Sequence, residues 1–252
     1  MISQRNQLPI AIVISVLLLQ PDVLHAALIG VDFNLTGPAP TNWSRLTATN
    51  PSPTTSTPLS LTNLIAENGA TTNIDFSLSS SVGFIRGFDN TLAATTIPSH
   101  SNSLTNLGGY FHNDTSADDT ATAIFRELDL ASTYRVWVFV TRVSSVIDTY
   151  ATITGSGAPI TFRSLGTGPE LFINGQLGSS SQTLDSYALQ VLPNNSGEII
   201  ISWTEGPTAS RYTVAGLAIE QVPEPASGYL VLSLSCSVSW PRRKYFRTSA
   251  FP

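Results

Sequence analysis

Several residue types are nearly missing from this sequence, and each shortage excludes a class of protein. The 252 residues include one cysteine (Cys236), one methionine and one lysine (Lys244), and only 12% are charged. A single cysteine excludes a disulfide-bonded scaffold and a zinc site built from cysteine pairs. The Ala, Glu, Lys and Leu repeat of a helical bundle is also missing. The formal net charge of −5 argues against nucleic-acid binding, which depends on a basic surface.

Sequence motifs of common catalytic sites are absent as well. The chain has no Gly-x-Ser-x-Gly, His-Glu-x-x-His or Gly-x-x-x-x-Gly-Lys segment. Outside the N-terminal segment the chain has two histidines, His100 and His112. A serine–histidine–aspartate triad could be assembled from His112, but nothing in the sequence positions it. A carboxylate pair for glycoside hydrolysis would have to come from Asp148, Glu170, Glu205 or Glu220. We therefore predict a non-catalytic protein and keep a hydrolase with a non-motif site as an alternative.

The N-terminus has the pattern of an export signal. Arg5 precedes the apolar run Leu8–Leu19, which ends at Gln20-Pro21-Asp22. This nearly apolar run of twelve residues is too short to span a bilayer comfortably, and a small residue follows at Ala26. The sequence predicts a signal helix in residues 1–26, removed after Ala26 or Ala27.

The C-terminus combines three features in a fixed order. Val222-Pro223-Glu224-Pro225 is followed by the uncharged run Ala226–Trp240 and then by a basic cluster. The two prolines keep the box extended and remove two backbone donors, which leaves it open to a recognition groove. The basic cluster consists of Arg242, Arg243 and Lys244, and such residues stay on the cytoplasmic side of a membrane.

This order resembles the PEP-CTERM sorting signal of Gram-negative bacteria. The resemblance implies that a membrane-embedded exosortase recognises the segment and that the protein reaches the cell surface or the exterior. In this resemblance the recognition box is matched by Pro223, Glu224 and Pro225. The basic cluster matches the basic residues that end the signal. The uncharged run has 15 residues, five of them serine, and is shorter than the roughly 20 residues of a stable span. A short hydrophobic helix that anchors the chain only transiently is therefore expected.

The body between the two signals has the periodicity of β-strands. In Thr133–Val143 the side chains of Tyr134, Val136, Val138 and Val140 fall on one face. Strands are predicted in ten segments: Ala27–Leu35, Thr72–Ser79, Thr122–Leu130, Thr133–Val143, Thr149–Thr154, Ile160–Leu165, Leu171–Asn174, Tyr187–Leu192, Gly197–Glu205 and Thr213–Val222. Only Leu59–Asn68 is compatible with either helix or strand.

These short strands, separated by Gly, Pro and Asn turns, predict an all-β fold, an antiparallel jelly-roll-like β-sandwich. The first and last strands are expected to pair and close it. The predicted organisation is a signal in 1–26, a sandwich in 27–221, the sorting segment in 222–247 and a tail in 248–252. Between residues 27 and 221 there are seven arginines, no lysine and fifteen acidic residues, a net charge of −8.

The second half of the body resembles a galactose-binding-like jelly roll. The pattern Leu128-Asp129-Leu130-Ala131-Ser132-Thr133-Tyr134-Arg135-Val136 precedes the long central strand, and Ala215–Glu220 closes the domain. The alternative function is therefore carbohydrate binding, with exopolysaccharide as a partner. The aromatic residues considered for stacking on sugar rings are Trp43, Tyr110, Trp203 and Tyr212, although the alternation of Trp203 with Ile199 and Ile201 predicts that Trp203 is buried.

One acidic loop offers oxygen ligands of the kind that calcium prefers. Asn113, Asp114, Asp118 and Asp119 lie close together in sequence. Their spacing lacks the glycine and the terminal glutamate of an EF-hand. A solvated acidic turn and a structural calcium site held by Asp114, Asp118 and Asp119 both remain open; no other cofactor is expected.

The sorting box can be tested through the location and mass of the protein. Replacing Glu224 should retain the chain in the cytoplasmic membrane, because the box would no longer be recognised. Cell fractionation and the intact mass of the protein measure this. An unchanged distribution of the Glu224 variant would contradict a role for the box, and full-length wild-type chain in the cytoplasmic membrane would contradict sorting altogether.

Overall fold

A computed structural model describes most of the body of the chain. The described residues are 27–33, 40–46, 57–81, 85–88, 104, 107, 110–113, 119–142, 146–208 and 212–223. The predicted signal helix, the hydrophobic run and the basic cluster lie outside these ranges, as do Glu224 and Pro225 of the box. No helix within the described ranges is long and apolar enough to cross a membrane.

Seven strands of the described chain form the first of two principal sheets, called sheet A. They are β1 (Ile29–Asp32), β2 (Ser44–Arg45), β8 (Tyr134–Arg142), β11 (Glu170–Ile173), β12 (Gln176–Leu177), β13 (Leu189–Val191) and β16 (Gly216–Gln221). The spatial order is β12-β11-β8-β16-β1-β2, and β13 pairs with the first part of β8. All pairings are antiparallel except that of β1 with β2.

The second principal sheet, sheet B, contains six described strands. They are β3 (Leu59–Leu61), β4 (Asp75–Ser80), β7 (Thr120–Arg126), β9 (Val146–Thr154), β10 (Ile160–Thr167) and β14 (Ile199–Glu205). Their order is β10-β9-β14-β7-β4-β3, antiparallel throughout. A smaller sheet holds β5 (Ile85–Phe88), β6 (Tyr110–Asn113) and β15 (Thr213–Val214).

The predicted antiparallel β-sandwich is confirmed. The chain passes between sheets A and B from β7 to β8, from β8 to β9 and again from β10 to β11, as in a jelly roll. The predicted pairing of the first and last strands is also confirmed, with Ile29 opposite Ile219 and Asp32 opposite Gly216. The ambiguous segment Leu59–Asn68 begins with strand β3 and continues into a turn.

The predicted strand Tyr187–Leu192 is shorter in the structure. Leu184–Tyr187 forms one turn of 3-10 helix, and the strand occupies only Leu189–Val191. Three residues complete a turn of 3-10 helix, so Leu184 and Tyr187 point the same way, and both are buried. Burial of this pair therefore overrides the local strand pattern.

Alternating side chains of both sheets build one core between them. Val136, Val138 and Leu217 come from sheet A, whereas Phe125 and Trp203 come from sheet B, and all five are at most 1% exposed. The predicted burial of Trp203 is thus confirmed. Each fully buried side chain of this size stabilises the fold by about 1.5–3 kcal/mol.

Sheet A is covered on its second face too. Trp137 and Phe139 point away from the sandwich core and are buried against Trp43, Leu171 and Tyr187, among other side chains. The Trp137 indole N–H donates to the Leu184 carbonyl oxygen at 3.0 Å. The 3-10 turn and the segment around Trp43 therefore form a second apolar layer, which explains why β8 carries large side chains on both faces.

This second layer predicts an unusual sensitivity at Gly30. A β-carbon added there would overlap the Trp43 indole ring, whereas one added at Gly157 would meet open space. We expect Gly30→Ala to lower the free energy of unfolding by about 1–3 kcal/mol through overpacking, and Gly157→Ala to change it by less than about 0.5 kcal/mol. Urea unfolding midpoints measure both. Equal midpoints for the two variants would contradict the close approach of Trp43.

Candidate functional site

A cleft of about 340 Å³ opens at the end of the sandwich where β1 begins and β16 ends. We call it the end cleft. Its walls are the start of β1, the segment joining β3 to β4, the turn between β7 and β8, and the last residue of β16. The lining residues are Ala27, Ile29, Ala66, Asn68, Thr72, Asn73, Ile74, Glu127, Asp129, Tyr134 and Gln221.

The end cleft combines an apolar part with side chains that form hydrogen bonds. Ala27, Ile29 and Ile74 belong to or pack against the main core. Asn73 and Glu127 are exposed, and neither side chain takes part in any hydrogen bond or ion pair recorded for the described residues. These two groups are therefore available to a bound molecule.

Other polar side chains of the end cleft are held in place. Asn68 accepts a hydrogen bond at Oδ1 from the Ala70 backbone N–H at 2.9 Å. Gln221 donates through Nε2 to the Ser132 hydroxyl oxygen at 2.7 Å. A binding surface gains specificity when such groups are fixed before the ligand arrives.

Asp129 is fixed as a carboxylate. Its pKa is lowered by the hydrogen bond from the Ser132 hydroxyl at 2.7 Å and by the Ala131 backbone N–H at 3.1 Å. The Asp129 N–H donates in turn to the Tyr134 hydroxyl oxygen at 3.0 Å. Burial raises the pKa of Tyr134, so the phenol remains a neutral hydrogen-bonding group.

Glu127 is held in an unfavourable backbone conformation. Its φ angle is 59°, in the left-handed region that costs an L-residue about 1–2 kcal/mol. The next residue is anchored, since the Leu128 N–H donates to the Gly197 carbonyl oxygen at 3.0 Å. Strained residues of this kind cluster at functional sites, where the surrounding structure holds them.

The carboxylates predicted as candidates for glycoside hydrolysis have structural partners instead. Asp148 is fully buried and accepts hydrogen bonds from Arg163 at 2.7 and 2.9 Å and from the Thr208 N–H at 2.7 Å. Burial opposes its ionisation, but these bonds prevail and lower its pKa. Glu220 accepts from Arg135 at 3.2 Å, and Glu170 accepts from the Thr167 N–H at 3.2 Å.

Among the predicted calcium ligands only Asp119 lies in the described residues. Its buried carboxylate accepts from the hydroxyls of Ser80 at 2.8 Å, Ser81 at 2.9 Å and Tyr212 at 2.8 Å. The pKa of Tyr212 is raised mainly by burial of its phenol and secondly by the negative charge of Asp119. Within the described ranges no three His, Cys, Asp or Glu side chains group around a metal position. Calcium at Asp114, Asp118 and Asp119 stays a prediction.

The aromatic residues considered for sugar stacking are buried where the structure describes them. Trp43, Trp203 and Tyr212 are at most 5% exposed, so none offers a ring face to a ligand. The side chains of Tyr110 and His112 lie outside the described part of the chain. The stacking role of Tyr110 and the triad around His112 are therefore untested by the structure. Sequence reasoning missed the end cleft because Asn73 and Glu127 are isolated polar residues in turns, with no motif around them.

Comparison with known proteins gave no family model and no curated relative that matches this chain. Three solved structures show weak similarity. TmCBM61 in complex with β-1,4-galactotriose is 13% identical over 58% of this chain and 83% of its own, with a TM-score of 0.30. The ANXUR1 extracellular domain from Arabidopsis thaliana is 11% identical over 61% and 53%, with a TM-score of 0.30. The family 32 CBM from C. perfringens NanJ in complex with galactose is 10% identical over 54% and 93%, with a TM-score of 0.26.

The strain at Glu127 can be measured. Glu127→Gly removes the left-handed penalty of about 1–2 kcal/mol and adds about 0.4–1 kcal/mol of chain entropy to the unfolded state. We expect it to unfold at higher urea than Glu127→Ala, which loses the same carboxylate and keeps the strain. Without strain the entropy difference alone would make Glu127→Gly less stable than Glu127→Ala by about 0.4–1 kcal/mol, and that result would contradict a strained backbone at this turn.

Proposed function

We propose that this protein is an exported, non-catalytic β-sandwich that binds a neutral polysaccharide in the end cleft. The observation that carries the proposal is the pair Asn73 and Glu127, two exposed hydrogen-bonding side chains beside an apolar floor and engaged with no other described group. A folded protein satisfies most of its polar side chains internally or with water. A strained glutamate at the rim of a cleft is then better explained by a ligand than by stability.

The chemistry of the cleft suits a sugar. A sugar ring presents hydroxyl groups at its edge and C–H groups on its faces. Glu127 and Asp129 can accept from hydroxyls, Asn73 can both donate and accept, and Ile29 and Ile74 offer apolar contact. The cleft volume of about 340 Å³ falls in the range of small-ligand sites, about 300–1,000 Å³.

The negative charge of the body and of the end cleft favours one class of polysaccharide over another. The body carries a net charge of −8 between residues 27 and 221. Two of its carboxylates line the cleft, whose lining contains no Lys, Arg or His side chain. Like charges in close contact cost several kcal/mol in binding. A neutral polymer is therefore favoured over an acidic one.

Binding rather than hydrolysis is favoured by the state of Asp129. Hydrolysis of a glycosidic bond needs one carboxylic acid that stays protonated, with a raised pKa. The pKa of Asp129 is lowered instead, by Ser132 and the Ala131 N–H. Of the two cleft carboxylates, this one is thus unsuited to donate a proton.

Export and sorting complete the proposal. In it, the N-terminal segment directs export, and an exosortase recognises Pro223, Glu224 and Pro225 with the basic cluster behind them. The structure describes only the start of the box, where β16 ends at Gln221 and the Val222 N–H donates to the Thr133 carbonyl oxygen at 2.8 Å. Pro223 follows immediately, without a donor of its own.

The binding function is tested with Glu127→Gln and Asn73→Ala. A hydrogen bond to a charged group contributes about 1.5–3 kcal/mol, so loss of the Glu127 charge should weaken binding about tenfold or more. Asn73→Ala should weaken it by a smaller factor. A glycan array identifies the neutral polysaccharide, and titration calorimetry gives the affinities of the mature protein.

Glu170→Gln is the matched control. It removes the same charge beside Arg142, at the far end of β8 from Tyr134, and should leave the affinity unchanged. Failure of the wild-type protein to bind any neutral or acidic polymer on the array would overturn the proposal. An equal loss in Glu127→Gln and Glu170→Gln would place the binding site elsewhere.

A further inference from the structure

The end cleft contains Ala27, one of the two residues at which the mature chain is predicted to begin. Ala27 lines it together with Glu127 and Asp129. The position of Ala27 is fixed by its neighbours, since the Leu28 carbonyl oxygen accepts from the Glu67 N–H at 2.8 Å and Ile29 pairs with both Ala66 and Ile219. Ala27 itself packs against the main core. Residue 27, with its backbone nitrogen, is therefore held in the lining of the cleft.

Export changes the charge of that nitrogen. In the precursor it belongs to the uncharged peptide bond between Ala26 and Ala27. A signal peptidase hydrolyses this bond with one water molecule, so that the carbonyl carbon of Ala26 gains the hydroxyl group and the nitrogen of Ala27 gains the hydrogen. The free amine then takes up a proton, because an ordinary α-amino group has a pKa of about 7.7–8.0.

We propose that the α-ammonium of Ala27 is the cationic group of the end cleft and takes part in ligand binding. The inference rests on the proposed binding function and on cleavage before Ala27. The lining contains two carboxylates and no cationic side chain, so the ammonium faces opposite charge. It supplies three donors, and a neutral polysaccharide supplies acceptor oxygens. The precursor, with an amide nitrogen at this place, lacks that cation.

The groups around the amine determine its titration. Glu127 and Asp129, from the turn between β7 and β8, and Tyr134, from β8, line the same cleft as Ala27. On the segment joining β3 to β4, Glu67 accepts from the Trp43 indole N–H at 3.1 Å. Two nearby carboxylates favour the charged form of an amine. The pKa of the α-amine should therefore lie above 8, and ligand binding should weaken as the pH rises through that pKa.

The scarcity of lysine makes the experiment selective. Residues 27–223 contain no lysine, and Lys244 is the only one in the chain. In mature protein whose sorting segment has been removed, the α-amine is thus the sole aliphatic amine, and an acylating reagent at neutral pH modifies it alone. If the segment is retained, Lys244→Arg restores the same selectivity.

The test starts from mature protein recovered after export, whose intact mass identifies the first residue. An NMR titration of the Ala27 signals gives the α-amine pKa in the wild type, in Glu127→Gln and in the control Glu170→Gln. We expect a pKa above 8 in the wild type and Glu170→Gln, and a lower one in Glu127→Gln. We also expect acetylation of the amine to weaken polysaccharide binding about tenfold.

Each result decides one point. A chain that begins at Leu28, or an α-amine of ordinary pKa that Glu127→Gln leaves unchanged, would overturn the placement of the ammonium. Unchanged affinity after acetylation would overturn its role in binding. A raised, Glu127-dependent pKa in a protein that binds no polysaccharide would support the placement of the ammonium and overturn the proposed function instead.

Discussion

The pairing of the first strand with the last is the constraint on which this molecule depends. β1 and β16 lie side by side in sheet A, between β8 and β2, so the sheet is continuous only when residues almost 190 positions apart meet. Because the pair is antiparallel, the start of β1 and the end of β16 emerge together. The end cleft lies at that point, and so do both junctions with the predicted export segments. The topology that closes the fold therefore also places the ends of the body at the candidate site.

The burial of sheet A on both faces explains how so long a pairing is stabilised. The inner face packs on sheet B, and the outer face carries Trp137 and Phe139 under a second apolar layer. Gly30 permits this layer, because its missing side chain makes room for Trp43. The 3-10 turn at Leu184–Tyr187 contributes two more buried side chains. A sandwich without disulfides thus obtains additional apolar burial from segments that connect its strands.

The sequence was sufficient for the features that depend on local patterns. Period two along Thr133–Val143 and Gly197–Glu205 predicted β8 and β14, and the alternation around Trp203 predicted its burial. The two-residue strands β2 and β12 escaped prediction, because Ser44–Arg45 and Gln176–Leu177 are too short to show any period. The second layer over Trp137 also escaped, since it joins segments far apart in the chain. The candidate site escaped prediction for the same reason, because Asn73, Glu127 and Gln221 come together only after folding.

Glu127 of the candidate site differs from the buried carboxylates of the body in its hydrogen bonding. Asp148 receives hydrogen bonds from Arg163 and Thr208, and Asp119 receives them from three hydroxyls. Both are fully buried, where an ionised group is tolerated only with such partners. Glu127 is the reverse case, an exposed carboxylate on a strained backbone with no hydrogen-bond or ion-pair partner within the described ranges. Stability accounts for Asp148 and Asp119, whereas the proposed binding function depends on Glu127.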